Sequence, residues 1–369
     1  MIKVLQILCA LNDGGIERLL FEYYKRFNRD EIVFDFAIND TNEGILEQKL
    51  TEMGSKIYRY TKFRVNFFKG VQDLNKIIET GHYDIVHSHL ANRGFLSLHH
   101  AKKCGVNVRI SHCHSAFEPE SVALKKFRII STPLTKKYST HLFACGDDAG
   151  KWMWGRKDFE NGRVTIMRNA IDVIKFTFSE SCRLKMRKKL GIENKYVIGC
   201  VGRLSYQKNQ EFLIDVFNKY HQENPESYLL IIGTGDKKEI IEEKVIAYKL
   251  QDSVHLLGVR NDVEALLCAF DSYILPSRYE GLPISVVEAQ CSGLNCVLSD
   301  SITHEVALSE MVRYCSIGSE LDEWYSAIKE CNDTLMADRK LAVQIISNAG
   351  YNIDIESSKL QEFYKQAVR

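Results

Sequence analysis

Asp271-Ser-Tyr-Ile-Leu-Pro276-Ser-Arg-Tyr-Glu280-Gly281-Leu282-Pro283-Ile284-Ser-Val-Val-Glu288-Ala-Gln-Cys-Ser-Gly293 reads as a strand, a loop and a helix. The apolar run before Pro276 is short and unbroken, as a strand buried on both faces requires. Pro283 is placed as an early helical residue, where its missing N–H costs nothing, and Gly293 ends the helix. The amides of Leu282, Ile284 and Ser285 then point out of the helix start, an arrangement that favours an anion. Glu280 falls in the loop and Glu288 about one turn inside the helix. A carboxylate accepts two hydrogen bonds from a vicinal diol, so Glu288 suits a ribose.

The same strand-then-helix rhythm runs outward in both directions. Strands are expected at residues 3–9, 33–38, 57–60, 84–87, 108–111 and 142–144, with a first helix over 16–27. The rhythm restarts at 197–201, with a helix over 209–221 and strands at 228–232, 254–257, 272–275 and 296–298. This alternation predicts an α/β fold of two Rossmann-like domains with parallel sheets. Residues 168–183 lack either period, which places the boundary near 175. The expected domains are 1–174 and 175–352, followed by a segment 353–369 whose helical stretch, 357–368, crosses back to the first domain. Ligands of such sheets sit at the carboxyl ends of the strands, so two facing sheets put a site in the interdomain cleft.

Composition narrows the partners. The chain has 369 residues, 45% hydrophobic and 26% charged, the balance of a globular protein. Its net charge of +1 and the lack of a recognised module disfavour nucleic acid. Residues 1–180 nevertheless carry a net +6 and the remainder −5. The eleven cysteines form no CxxC pair and sit mostly in apolar runs, which suggests reduced buried thiols in a cytoplasmic protein. The apolar start is short and lacks a small-residue cleavage site, so it reads as a strand and not a signal peptide.

Three further motifs carry chemistry. In Val201-Gly202-Arg203-Leu204-Ser-Tyr-Gln-Lys208-Asn209, a strand end delivers two cations to a loop. Fixed cations stabilise a diphosphate leaving group most as its charge develops; a solvated basic loop is the plainer alternative. In Asn12-Asp13-Gly14-Gly15-Ile16-Glu17, two glycines let backbone approach a ligand, though the pattern is not GxGxxG. His87 and His89, then His112 and His114, form pairs spaced i, i+2, so each pair shares a strand face. Acidic ligands are lacking nearby and no Asp-x-Asp motif is seen, so no metal and no cofactor are expected. His89, at a strand end, is a candidate for facing the cleft; His87 and His112 read as structural.

These motifs, in this order, resemble glycosyltransferase family 4, whose members are retaining enzymes of the GT-B fold. The likeness covers essentially the whole chain and is strongest to bacterial exopolysaccharide and capsule transferases, with Cys145-Gly146 and Trp152-Met153-Trp154-Gly155 part of it. The resemblance implies transfer of a sugar from a nucleotide-diphosphate donor, with uridine the expected base. It implies that Arg203 and Lys208 hold the diphosphate, that Gly15, Gly281, Leu282, Pro283 and Ile284 line the nucleotide sugar, and that Glu288 holds the ribose. Glu280 and His114 then orient the sugar, and Gly14 and His89 lie toward the acceptor. Three stretches depart from the pattern: Ala170 and Asp236 replace a glycine and a proline of the family, and Leu257–Arg260 matches only loosely.

Residues 121–140 hold Lys125, Lys126, Arg128, Lys136 and Lys137, no acid, and interleaved apolar residues. Such a segment suits either an anionic membrane surface or the outside of a core-packing helix. Pro133 is expected to interrupt any helix there. The partners expected are therefore the donor, a glycan or lipid-linked acceptor and the inner membrane face. Two other readings keep the fold: a nucleotide-sugar epimerase or hydrolase, and a non-catalytic partner of another transferase.

Overall fold

The computed structural model describes residues 1–12, 14–114, 121–318, 321–333 and 338–369. Asp13 of the glycine motif lies outside these residues. Among them the chain forms two compact units: Met1–Ala170 with Ile353–Arg369, and Ile171–Asn352.

The first unit is built on β1 (Ile2–Ile7), β2 (Ile32–Ile38), β3 (Ile57–Arg59), β4 (Ile85–Ser88), β5 (Val108–Cys113), β6 (His141–Ala144) and β7 (Val164–Ile166). Their order across the sheet is β3-β2-β1-β4-β5-β6-β7, and every pairing is parallel. The second unit has β8 (Tyr196–Val201), β9 (Ser227–Ile232), β10 (Val254–Leu256), β11 (Ser272–Leu275), β12 (Asn295–Ser299) and β13 (Val312–Cys315). Their order is β10-β9-β8-β11-β12-β13, again parallel throughout. In each sheet the first strand pairs with both its successor and the strand that starts the second half. The chain therefore reverses its direction of winding between β1 and β4, and between β8 and β11, the switch points where doubly wound sheets take ligands.

Two strands escape the apolar-run reading. Val164–Ile166 is three residues long, and Val312–Cys315 is an edge strand whose central Arg313 and Tyr314 are only half-buried. An edge strand needs less apolar sequence because one side faces no neighbour. Pro133 is a second correction. The helix Val122–Tyr138 runs through it without a break. The carbonyl that loses its helical donor is that of Ile129, and that residue is largely exposed, so water can replace the missing N–H. Pro283 has extended geometry and caps the helix Ile284–Cys291 from outside it, one position earlier than expected. The closing helix, Ile353–Ala367, starts four residues before the expected 357. Its Ile353, Leu360 and Tyr364 join the core beneath β1 and β2, with Tyr364 edge-on to Phe34 at 6.0 Å.

Asp271 fixes the start of the central strands in the second unit. Its Oδ2 accepts from the Val197 amide at 2.7 Å and from Arg187 at 3.1 Å, and Oδ1 pairs with Arg183. The two guanidinium groups also donate to the carbonyls of residues 268–270, which end the helix Val263–Ala269. Cations at that helix end offset its negative dipole pole. Arg187 and Asp271 are both buried. Removing one partner of a buried pair strands the other charge, so Asp271→Ala should cost about 3–5 kcal/mol. Denaturant unfolding of the variant measures this, and a loss below about 1 kcal/mol would make the network incidental.

Candidate active site

In the second unit, the loops leaving β8, β9 and β11 pack directly on one another. Gly233 follows β9 at φ +132°, and a side chain there would lie 2.1 Å from the Gly202 carbonyl. Gly202 in turn lies under the Lys208 stem, whose Cε would be 3.2 Å from an added methyl. Asn209 has left-handed backbone at φ +57° and joins the first loop to the third. Its amide donates to the Pro276 carbonyl at 3.2 Å, and its oxygen accepts from Arg278 at 2.9 Å. The Arg278 amide donates to the Gln207 carbonyl at 2.7 Å. On this frame Lys208 Nζ sits 2.7 Å from Glu280 Oε1, which also accepts from the Ser277 hydroxyl at 3.0 Å. Both charges are largely buried. Arg203 is exposed, and its guanidinium has no partner among the described residues.

The helix that follows β11 completes this cluster. Among the described residues, the amides of Leu282, Ile284 and Ser285 have no backbone acceptor, as a helix start leaves them. Tyr273 reaches up from β11, its hydroxyl 3.1 Å from the Val201 carbonyl and 2.9 Å from Ser285 Oγ. Burial pushes that phenol well above its ordinary pKa, so it stays a neutral donor. Glu288 is half-buried on the helix, more than a turn from Glu280. The structure thus joins Lys208, Glu280 and the Gly281–Ile284 turn, and leaves Arg203 separate at the loop rim.

In the first unit, Gly14 caps the helix Gly15–Lys25 after β1, and the four histidines stand on β4, β5 and the turns that follow. The rings stack closely, with His112 and His114 centroids 4.0 Å apart. Gln6, fully buried on β1, sets their protons. Its oxygen accepts from His89 Nε2 at 2.8 Å, so His89 Nδ1 is the acceptor for His114 Nε2 at 2.8 Å. On the other arm, the Gln6 amide donates to the Tyr364 hydroxyl at 3.4 Å, and that hydroxyl donates to His87 Nδ1 at 2.7 Å. His87 Nε2 then donates to His112 Nδ1 at 3.3 Å. The network assigns one proton to each ring. His114 Nδ1 keeps a lone pair and His112 Nε2 a proton; both atoms are buried and lack a partner among the described residues.

Nitrogen atoms of His87, His89 and His112 lie within 4.8 Å of one another, a spacing that fits an ion. The hydrogen bonds just described account for the same proximity with neutral rings. Gln6, Tyr364, Asn209, Ser277 and Tyr273 all shape these clusters, and the sequence reading passed over them. Gln6 had left a signal, a polar residue inside an apolar strand; so had Asn209, one of the few residue types at ease in left-handed backbone.

Two family models match the chain in succession: Glycosyltransferase Family 4 over residues 13–175 and Glycosyl transferases group 1 over residues 183–349. The chain is 28% identical to putative glycosyltransferase EpsF of Bacillus subtilis (strain 168), over 98% of this chain and 96% of that one. It is 25% identical to the UDP-Gal:alpha-D-GlcNAc-diphosphoundecaprenol alpha-1,3-galactosyltransferase of Escherichia coli, over 96% and 94%. The crystal structure of Anabaena HepE in complex with UDP superposes with a TM-score of 0.81 at 18% identity, covering 99% of this chain and 100% of that one.

The buried imidazoles make stability depend on acid. Burial lowers His87, His89 and His112 well below the ordinary imidazole pKa and pushes His114 down to about 3. The unfolded chain takes up these protons near pH 6.5 and the folded chain does not. Stability is therefore full above that pH and falls as pH drops below it, by up to about 1.4 kcal/mol per pH unit for each ring. The thermal midpoint should fall steeply between pH 6.5 and 5; a flat profile would mean that the folded rings are charged.

Proposed function

The chain belongs to the family 4, group 1 glycosyltransferases and has their GT-B fold, and from this we propose a retaining transferase that moves a sugar from a UDP-sugar to a glycan or lipid-linked acceptor of a bacterial surface polysaccharide. The observation that carries the reading is the buried Lys208–Glu280 pair, held where the loops after β8 and β11 meet. Hexose or N-acetylhexosamine is the sugar class assigned.

Lys208 and Arg203 take the diphosphate, with the open amides of the helix Ile284–Cys291 and the turn Gly281–Pro283. Charge grows on the leaving phosphate as the sugar bond lengthens, so fixed cations act most strongly in the transition state. Arg203, free at the rim, suits bidentate capture, and Lys208, locked by Glu280, acts as a point charge. Glu288 takes the ribose diol. Glu280 and His114 orient the sugar, with Gly15 beside the phosphates. His114 presents an acceptor nitrogen, which matches a sugar hydroxyl and would not match a phosphate oxygen. Gly14 and His89 lie on the acceptor side. The acceptor attacks the face that the leaving group vacates, and the departing phosphate takes the acceptor proton. That route needs no glycosidase-type nucleophile and acid pair.

The relatives' names agree with this reading: the Escherichia coli relative is named for UDP-Gal and a diphosphoundecaprenol-linked sugar, and HepE is seen with UDP. A lipid-linked acceptor fits an enzyme at the inner membrane face, held peripherally through residues 121–140. Among the described residues, no helix is long and apolar enough to cross a membrane.

Four measurements test the proposal. NMR of the product should show a retained anomeric centre, and inversion would overturn the mechanism. Arg203→Ala and Lys208→Ala should each lower kcat/KM by about 10²–10³, and Glu288→Ala should mainly weaken UDP binding in calorimetry; ordinary turnover or unchanged affinity would remove those roles. Activity should survive EDTA, and a loss restored by manganese would contradict metal-independent transfer.

A further inference from the structure

The loop that leads into the helix Phe67–Gly81 presents apolar side chains to water. Val65 is 73% exposed, Phe67 48% and Phe68 84%. The loop beneath them is tied down. Asn66 caps the helix by accepting from the Lys69 amide at 3.0 Å, and the Val65 and Asn66 amides both donate to the Lys62 carbonyl. Phe63 packs on Tyr60 at 5.6 Å and covers Gly70, where an added methyl would meet its ring at 2.8 Å. Val65 and Phe68 are therefore held outward by the loop's own bonds. Exposed aromatics on an ordered turn mark an interaction surface.

Topology puts a second patch on the same edge of the sheet. The helices Phe67–Gly81, Phe95–Lys103 and Val122–Tyr138 pack side by side, the last two with Phe95 and Phe127 rings 6.4 Å apart. Each follows a parallel strand, β3, β4 or β5, so all three begin at the carboxyl edge. The third exposes Ile129 at 68% and Ile130 at 67%, with Val122 and Leu124 also exposed. Residues 64–69 include Arg64 and Lys69, residues 122–138 include Lys125, Lys126 and Arg128, and neither stretch contains an acid. Beside this second patch opens a pocket of about 300 Å³ lined by His89, His114, Arg93, Leu124, Phe127 and Trp152.

We propose that this edge of the first unit seats on an anionic lipid surface through two separate contacts, residues 64–69 and the helix Val122–Tyr138, with the pocket opening beside that helix. The inference deepens the peripheral-membrane reading and rests on it. Two contacts fix the tilt of the unit on the surface, which one helix alone leaves free to roll. Basic residues beside apolar ones select anionic over neutral lipid, and the aromatic side chains supply insertion.

Flotation of the full chain with vesicles tests this, using about one-third phosphatidylglycerol in phosphatidylcholine against phosphatidylcholine alone. Wild type should float only with the anionic vesicles, and less at high salt. Val65→Ser with Phe68→Ser should weaken partition about 10-fold or more, as should Ile129→Ser with Ile130→Ser. Ile246→Ser, exposed on the second unit, should change nothing. The substitutions are on the surface, and an unchanged melting temperature confirms folding. Loss with the helix variant alone overturns the contact through residues 64–69 and leaves the membrane reading standing. No binding by wild type overturns both. A wild-type dimer in sedimentation that Phe68→Ser dissociates, with no lipid binding, assigns the patch to a second copy and overturns the proposal.

Discussion

Parallel strands cannot be joined by a tight turn, because the chain must return the length of the sheet before it pairs again. Both sheets here are parallel throughout, so every strand delivers its following loop to the same edge. Where winding reverses, between β1 and β4 and between β8 and β11, neighbouring loops diverge and leave room for a ligand. The candidate residues stand at or just after one of those reversals, except His114, which follows the neighbouring strand β5. The glycines of the second unit serve this packing: Gly233 lets the loop after β9 touch the loop after β8, and Gly202 makes space for the Lys208 stem.

The two reversals are electrostatically unlike. The second unit gathers charges, with a cation locked to a carboxylate and a helix start facing the same loop. Such fixed charges need no rearrangement when a phosphate gains charge, which is where they lower a barrier most. The first unit gathers neutral imidazoles in a chain of hydrogen bonds that starts from Gln6. Burial keeps those rings uncharged, so they offer single donors and acceptors of fixed sense. That is a chemistry for hydroxyl groups. Its cost is sensitivity to acid.

Much of the fold was legible because buried parallel strands are written as short apolar runs. Phe34 and Phe36 on β2, and Ile274 and Leu275 on β11, have no exposed surface, and their segments announced themselves. Val312–Cys315 did not, since an edge strand tolerates Arg313. Pro133 misled because its local rule assumes that the carbonyl it frees is buried, and on an exposed helix face it is not. Lys208 and Glu280 were each picked out by their motifs, but nothing in a linear spacing of 72 residues said that they would pair.

The sequence by itself determined the α/β class, the parallel winding, the restart that makes a second sheet, and the residue types of the candidate site. These are local properties: periodicity, helix ends and a strand's apolar content are set by neighbours along the chain. Only the tertiary structure decided which charges meet, which tautomer each imidazole carries and which apolar side chains stay in water. Those depend on strand order and loop packing, which bring together Gln6 with His89 and Lys208 with Glu280. Such contacts are fixed by the return of the chain through each crossover, and no stretch of sequence holds both partners.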